Sequence, residues 1–356
     1  MADSKVFTLS ADKYRFWTIN HRDQTITVAL QDGRTFTEPM SAEDPLFDSE
    51  IAISIFDWER WWVTSVTRRD HIIFAEAFSL ATPDPLKDRP SVYLDQNHWS
   101  KVAFATIAPE RVKSKLELEA ALELIRLVTD AGIVMPLSSA HMLETSSLYG
   151  DKRYEVGVAM SAHSGGWQLR HPMTVWHQEA SRIMCRLYGM APSVKATLPV
   201  VTLDPNALLS SGKRPEDLDP RGVELFFLAI SSPGVMFQIL LQPEREDRVP
   251  MTKWVKHHAA ITRQFEHLAG PIEAKRKTAL RRFWNENLGI FRDELRAMSR
   301  EDSVPGMSDR DLASVLESEP MLRYLSGLFA RRFLDSNTNW KDNDLVDMLF
   351  LSCAAG

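Results

Sequence analysis

Acidic residues beside apolar segments are the residues of this sequence best suited to chemistry. Asp95 ends the apolar run Val92-Tyr93-Leu94, Glu144 follows a second apolar segment, and Asp344 and Asp347 open an apolar C-terminal segment. Carboxylates that gather at one end of a sheet repel each other unless a hard divalent cation lies among them. Such a cation can lower the pKa of a water molecule and stabilise a phosphoryl transition state. We therefore predict that these four carboxylates hold Mg²⁺ or Mn²⁺, with Asp344 assisting the other three.

Two short apolar runs predict the elements that position the first two acids. The run before Asp95 and the run Ile133-Val134-Met135 read as strands. Between them, residues 100–106 look helical, and residues 108–110 open a second helix with Leu116 on its apolar face. A strand–helix–strand crossover predicts parallel pairing, and ligands of parallel sheets lie at the carboxyl ends of the strands. We expect Asp95 at that edge and Glu144 on the helix that Ser138 begins as N-cap.

The last two acids belong to the predicted C-terminal helix over residues 342–356. Asp344 and Asp347 are three positions apart and share a helix face. A second interpretation of each acid is structural: Asp95 caps the turn that follows it, Glu144 is solvated, and Asp347 favours the helix dipole.

Asn97 and His141 are the predicted supporting residues. Asn97 can orient Asp95 through a hydrogen bond, or it can be an ordinary turn residue. His141 lies three positions before Glu144 on the same helix face, where it can meet a phosphate or leaving group. A partly exposed structural histidine is the alternative.

Three segments together resemble the motifs of PIN-like nucleases. The run Val92-Tyr93-Leu94-Asp95-Gln96-Asn97 is similar to the first motif, a strand that ends in Asp. Residues 136–144 resemble the second motif, in which Glu lies on the helix after the second strand. The segment Asp347-Met348-Leu349-Phe350-Leu351-Ser352-Cys353-Ala354-Ala355 resembles the third motif, Asp followed by an apolar helix rich in small residues.

The resemblance implies an α/β fold with a three-layer α/β/α parallel sheet and one or two bound Mg²⁺ or Mn²⁺ ions. It further implies hydrolysis of RNA phosphodiester bonds, with Asp95, Glu144 and Asp347 as catalytic metal ligands. Many members of the family are toxins or defence effectors, so a toxin or phage-defence role is expected too. Family members continue into another strand after the third motif, whereas this sequence ends at Gly356, so we expect a sheet without that last strand.

The chain around these motifs predicts two domains. Residues 1–88 read as a small β-rich module, with an Asp32-Gly33 hairpin turn between β-branched runs. Residues 89–356 read as the PIN-like domain, with its core at 89–150 and 334–356 and a helical insertion over about 151–333. Within this insertion, helical spacing covers residues 153–164, 173–188, 222–230, 253–268 and 272–298, and residues 198–203 carry a weak strand signal. Trp58, Trp61 and Trp62 fill the core of the β-rich module, or alternatively stack on bases.

Composition restricts the partners of the chain. The formal net charge of -6 gives no global attraction to nucleic acid, so an RNA site needs a local basic patch. Three basic runs in the helical region could contact a phosphate backbone, or form a solvated face: Lys275-Arg276-Lys277, Arg281-Arg282 and Arg331-Arg332. The two cysteines form no disulfide framework, and no apolar run is long enough to cross a membrane, so we expect a cytoplasmic protein.

Two other functions remain open at the level of sequence. A PIN-like scaffold with a defective site would act as a binding or regulatory protein. A sensor–effector pair would use the N-terminal module to recognise a protein partner or trigger while the helical region gates the site. Family analogy alone supports this third interpretation.

Overall fold

The computed structural model describes residues 14–39, 50–77, 86–192, 198–204, 207–208, 240, 251–298 and 304–355. Within these residues the chain is a mixed α/β structure with a six-stranded antiparallel sheet and eleven α-helices. The chain divides into two units: the first unit is Met1–Leu169 with Val201–Glu246, and the second unit is Arg170–Val200 with Asp247–Gly356. The sequence-based boundary near residue 88 lies inside the first unit.

The N-terminal sheet matches the predicted β-rich module. Its strands are β1 (Tyr14–Asn20), β2 (Thr25–Leu30), β3 (Thr35–Pro39), β4 (Ile51–Asp57), β5 (Trp62–Thr67) and β6 (Ile72–Glu76), in the order β3-β2-β1-β4-β5-β6. All neighbouring strands are antiparallel. The predicted hairpin joins β2 to β3, and Gly33 takes the positive φ of 87° that its turn requires.

Aromatic residues on one face of this sheet form its core. Trp58 packs edge-on against Trp17 and Phe56, and Trp61 packs against the same cluster. Trp62 is 48% exposed. The core interpretation therefore holds for Trp58 and Trp61 but not for Trp62, because strand alternation turns Trp62 to the opposite face of β5.

The described residues of the first unit also include four helices: α1 (Gln96–Ile107), α2 (Lys115–Thr129), α3 (Ser139–Ser146) and α4 (Gly150–Ser164). The first helix begins four residues before the predicted start at Ser100, because the Asp95 side chain caps it. The second begins after a 3₁₀ turn over Pro109–Arg111, where Ser114 is the N-cap. Leu116, predicted to face the core, is 75% exposed.

Among the described residues of the first unit, parallel pairing is limited to two isolated bridges, much less than predicted. Ser91 forms an isolated parallel bridge with Val134, and Leu137 forms another with Gln168. Gln168–Leu169 (β7) also pairs antiparallel with Val201–Thr202 (β8), which confirms the weak strand signal around residue 201. Pro136 has no N–H and interrupts any ladder between the two bridges. The described residues therefore contain a parallel crossover but not the expected three-layer parallel sheet.

The loop after α4 joins the sheet to the helices of the first unit. The backbone N–H of Glu76 donates to the Gly165 carbonyl over 2.9 Å. Gly166 has a φ of 87°, and a Cβ there would lie 2.6 Å from the Glu76 carbonyl oxygen. The Glu76 carboxylate accepts hydrogen bonds from Arg89 and from the Trp167 indole. Only glycine fits this close approach between backbone segments.

The second unit is helical, as predicted for this part of the chain. Its helices are α5 (Pro172–Leu187), α6 (Thr252–Glu266), α7 (Ile272–Glu286), α8 (Leu288–Ala297), α9 (Asp309–Glu317), α10 (Pro320–Leu334) and α11 (Asp344–Ala355). The single helix expected over residues 272–298 is two helices that part at Asn287. Phe283, Phe329 and Phe333 form a continuous series of ring contacts in its core.

A buried glutamate on α5 holds the N-terminus of α10. Glu179 is 2% exposed, and its two carboxylate oxygens accept the backbone N–H groups of Met321 and Leu322 over 2.9 Å and 2.8 Å. Burial raises the pKa of Glu179 to about 7, although these two hydrogen bonds favour the ionised form. Arg182 approaches Glu179 at 3.6 Å and Glu319 at 2.6 Å.

None of the helices among the described residues is long and apolar enough to span a membrane. The helix that the sequence predicts over residues 222–230 lies outside the described residues.

Candidate functional site

Asp95 lies at the N-terminus of α1, directly after the segment that bridges to Val134. Its Oδ1 accepts the backbone N–H of His98 over 2.9 Å and contacts His98 Nδ1 at 2.6 Å. The side chain is 56% exposed. The structure thus shows the capping role that was the second interpretation of Asp95, with the carboxylate still open to solvent.

The charge of Asp95 is stabilised by its local contacts. Partial burial acts to raise the pKa of the carboxyl, but the backbone N–H groups of His98 and Asn97 and the His98 ring bring it below its ordinary value. Asn97 acts on Asp95 through its backbone, and its side chain is exposed. Asp95 is therefore an ionised, solvent-exposed carboxylate at neutral pH.

His141 is buried in the first unit and connects α3 to the residue before Asp95. Its Nδ1 accepts the backbone N–H of Ser138 over 3.0 Å, and its Nε2 lies 2.7 Å from the Leu94 carbonyl oxygen. These partners require the neutral ring with the proton on Nε2, which donates to Leu94. The residue is 1% exposed, so it cannot make the expected contact with a phosphate or leaving group. The alternative, a partly exposed structural histidine, is also wrong, because the ring is fully buried.

Three further contacts fix the same pair of segments. The Tyr93 hydroxyl lies 3.1 Å from the Ser138 hydroxyl, and the Tyr93 ring stacks on His141 with 5.1 Å between centroids. Gln96 Nε2 donates to the Thr145 hydroxyl over 3.0 Å. Burial lowers the pKa of His141 to about 4, so the ring stays neutral in this frame.

Glu144 is next to Thr145 on α3 and is half-buried. Because Gln96 follows Asp95 and bonds to Thr145, the elements that carry Asp95 and Glu144 are held together by side chains on both. The sequence prediction that these two acids belong to neighbouring elements is consistent with this frame.

Asp344 and Asp347 belong to the second unit. They lie in the first turn of α11, as predicted. Asp344 Oδ2 is 2.6 Å from an Arg332 guanidinium nitrogen and accepts the Lys341 backbone N–H over 2.6 Å. Arg332 also lies over the Trp340 ring. This ion pair accounts for Asp344 structurally, whereas Asp347 is exposed.

The basic runs predicted to contact a phosphate backbone differ in whether acidic side chains pair with them. Arg281 pairs with Asp309 and Arg282 pairs with Glu286, at 2.6 Å and 2.7 Å. Both side chains are therefore tied to acids within the second unit. Arg276 and Lys277 are exposed on α7, and Lys275 is partly exposed. The structure leaves this first basic run, rather than the second, available for an external anion.

The fit to a divalent cation rests on the acids of the first unit. Among the described residues there is no group of three or more His, Cys, Asp or Glu side chains that could hold a metal ion. Mg²⁺ is commonly held by one or two carboxylates together with water and substrate phosphates. Asp95, ionised and open to solvent, with Glu144 on the bonded neighbouring helix, fits that smaller donor set.

Comparison of the chain with protein-family models, curated proteins and solved structures found no match.

Proposed function

We propose that this protein is a metal-dependent ribonuclease with a PIN-like site, and that Asp95 and Glu144 hold the metal. The observation that carries the proposal is the buried frame of Tyr93, Ser138 and His141, which fixes the Asp95 segment to the helix bearing Glu144. Bound Mg²⁺ or Mn²⁺ would supply Lewis-acid stabilisation of the phosphoryl group. Asp347, the third ligand that the resemblance implies, belongs to the second unit and is not part of this proposal.

The protein's own residues have distinct roles in this proposal. His98 lowers the pKa of Asp95 and orients its carboxylate through two contacts to Oδ1. His141 stays neutral and holds the Leu94 carbonyl, so it is a positioning residue and not an acid or base. A buried, rigid support of this kind reduces the reorganisation needed when a metal and a phosphate bind.

The experiment measures Mn²⁺-dependent cleavage of single-stranded RNA by the full chain and by Asp95→Asn and Glu144→Gln. Asparagine is as good an N-cap as aspartate, so Asp95→Asn removes the charge while α1 keeps its start. We expect each variant to lose about 100-fold or more in rate. Removing a group that only orients a metal ligand already costs up to about 100-fold, and losing the ligand itself should cost at least as much. Glu110→Gln, an exposed acid of the same unit, is the charge-matched control and should keep full activity.

Metal binding gives a readout that does not need activity. Mn²⁺ should raise the melting temperature of the parent chain and of Glu110→Gln, because a ligand of the folded state stabilises it by mass action. The rise should be absent in Asp95→Asn. Equal cleavage by the parent and Asp95→Asn would exclude the assigned site.

A second candidate function is a PIN-like scaffold that binds a partner without catalysis. The Arg332 ion pair at Asp344 favours it, because a carboxylate neutralised by arginine is a poor metal ligand. This function predicts neither RNA cleavage nor stabilisation by Mn²⁺.

A further inference from the structure

A positively charged cleft of about 340 Å³ lies in the second unit. Helices α7, α9 and α10 form it, and its lining includes three guanidinium groups and one carboxylate: Arg276, Arg323, Arg331 and Glu317. Tyr324, which is 46% exposed, contributes an aromatic ring to the same lining. An anion would thus meet an excess of positive charge beside an aromatic face.

The arginines of this cleft differ from their neighbours in having no acidic partner within the described part of the chain. By contrast, Arg281 on α7 pairs with Asp309, and Arg332 on α10 pairs with Asp344. Arg276, Arg323 and Arg331 form none with any described residue, and all three are exposed. Because neighbouring arginines on α7 and α10 are paired with acids and these three are not, the cleft has positive charge to offer an external ligand.

The spacing on α10 sets the size of that ligand. Arg323, Gly327 and Arg331 are four positions apart and follow one helix face, so the two arginine Cα atoms are about 12 Å apart. A Cβ built at Gly327 would meet no atom within 4 Å, so the glycine leaves an open floor between the arginines. A phosphate chain with an attached ring is long enough to contact both arginines and Tyr324 together.

We propose that this cleft binds a nucleotide: its phosphates between Arg276, Arg323 and Arg331, and its base stacked on Tyr324. Glu317 would accept hydrogen bonds from a base amino group or a ribose hydroxyl. The cleft contains neither Asp95 nor Glu144, so this proposal does not depend on the proposed function. The nucleotide can be free or part of an RNA strand, because both present the same phosphate and base chemistry.

The experiment is calorimetric titration of the full chain with ATP, tripolyphosphate and a short single-stranded oligouridylate. The parent chain is compared with Arg323→Gln/Arg331→Gln, Tyr324→Phe and Tyr324→Ala. Arg292→Gln/Arg310→Gln removes the same charge from exposed positions outside the cleft and is the control. We expect about a 100-fold loss for the cleft pair, because each charge-assisted contact is worth about tenfold or more.

The tyrosine variants test the base. Tyr324→Ala should weaken ATP binding about tenfold, whereas Tyr324→Phe keeps the ring and should bind like the parent. If the oligonucleotide binds more tightly than ATP and both respond to the cleft variants, the natural source is an RNA strand; the reverse order assigns a free nucleotide. Three results would overturn the proposal: no binding in the millimolar range, equal loss in the control pair, or tripolyphosphate binding as tightly as ATP.

Discussion

His141 in the first unit and Glu179 in the second do the same structural task with opposite chemistry. Each is a buried side chain that accepts backbone N–H at the N-terminal end of a helix, α3 for His141 and α10 for Glu179. Burial disfavours the charged form of both groups: it lowers the pKa of the histidine to about 4 and raises the pKa of the glutamic acid to about 7. The comparison shows that a buried junction can respond to acid in either direction.

The sign follows from which state binds more protons. His141 has a folded-state pKa below the ordinary 6.5, so its unfolded form takes up protons first and stability is lost as the pH falls below 6.5. Glu179 has a folded-state pKa above the ordinary 4.5, so its folded form keeps the proton and stability is lost as the pH rises from 4.5 to about 7. Acidification from pH 6.5 to pH 4.5 therefore destabilises the first unit through His141 and stabilises the second unit through Glu179.

The largest effect is expected from removing the histidine junction. His141→Ala leaves the Ser138 N–H and the Leu94 carbonyl without their buried partner and opens a cavity beneath Tyr93. We expect a loss of about 3 kcal/mol in the free energy of unfolding at pH 7. Denaturant unfolding measures it, and His98→Ala, which removes a ring that is 61% exposed, should cost less than about 1 kcal/mol. Similar losses for both variants would contradict the burial argument.

The opposite pH responses should appear when the titrating side chain of each junction is replaced by glutamine. On going from pH 7 to pH 5, His141 should cost about 2 kcal/mol and Glu179 should return about 2 kcal/mol, so the two nearly cancel in the parent chain. On acidification, the free energy of unfolding should then fall in Glu179→Gln and rise in His141→Gln. Hydrogen exchange followed separately at α3 and α10 checks both slopes.

The double variant His141→Gln/Glu179→Gln provides the control for this prediction. It should lack both contributions, so its pH response over the same interval should resemble that of the parent. Slopes of the same sign in the two single variants would show that the two junctions do not differ as described.

The smallest effect is expected at the ion pair of α11. Asp344→Asn keeps an acceptor for the Lys341 N–H but removes the charge that faces Arg332. Because both side chains are mostly buried, we expect a loss of about 1 kcal/mol, measured by denaturant unfolding. The exposed neighbour Asp342→Asn should change stability by less than about 0.5 kcal/mol. Equal losses in the two variants would contradict a stabilising role for this ion pair.

Sequence patterns identified local features well. The Asp32-Gly33 hairpin, the Ser138 start of α3 and the parallel relation of residues 91 and 134 depend on short segments, and the structure contains all three. The start of α1 was wrong by four residues because Asp95 could be read as a strand end or as a cap, and only the fold decides between them.

Features that depend on distant partners could not be predicted. Glu179 looks like any helix residue in the sequence, since its partner Met321 lies 142 positions away. His141 was singled out for the right helix but the wrong exposure, because the Leu94 carbonyl that it meets is 47 positions earlier. Arg323 was missed, although its spacing with Gly327 and Arg331 was visible as one helix stripe.

The contact of Gly166 with Glu76 sets an order of events for a chain made from its N-terminus. The strand that ends at Glu76 forms its last backbone bond with Gly165, and its carboxylate binds Trp167 across 91 positions of sequence. During synthesis, the edge of the sheet therefore stays without these partners until α4 and the following loop have left the ribosome. Contacts of such long sequence separation are closed late and expose strand edges to other chains meanwhile. A ribosome-bound chain that ends before residue 165 should accordingly be more prone to aggregation than one that includes Trp167.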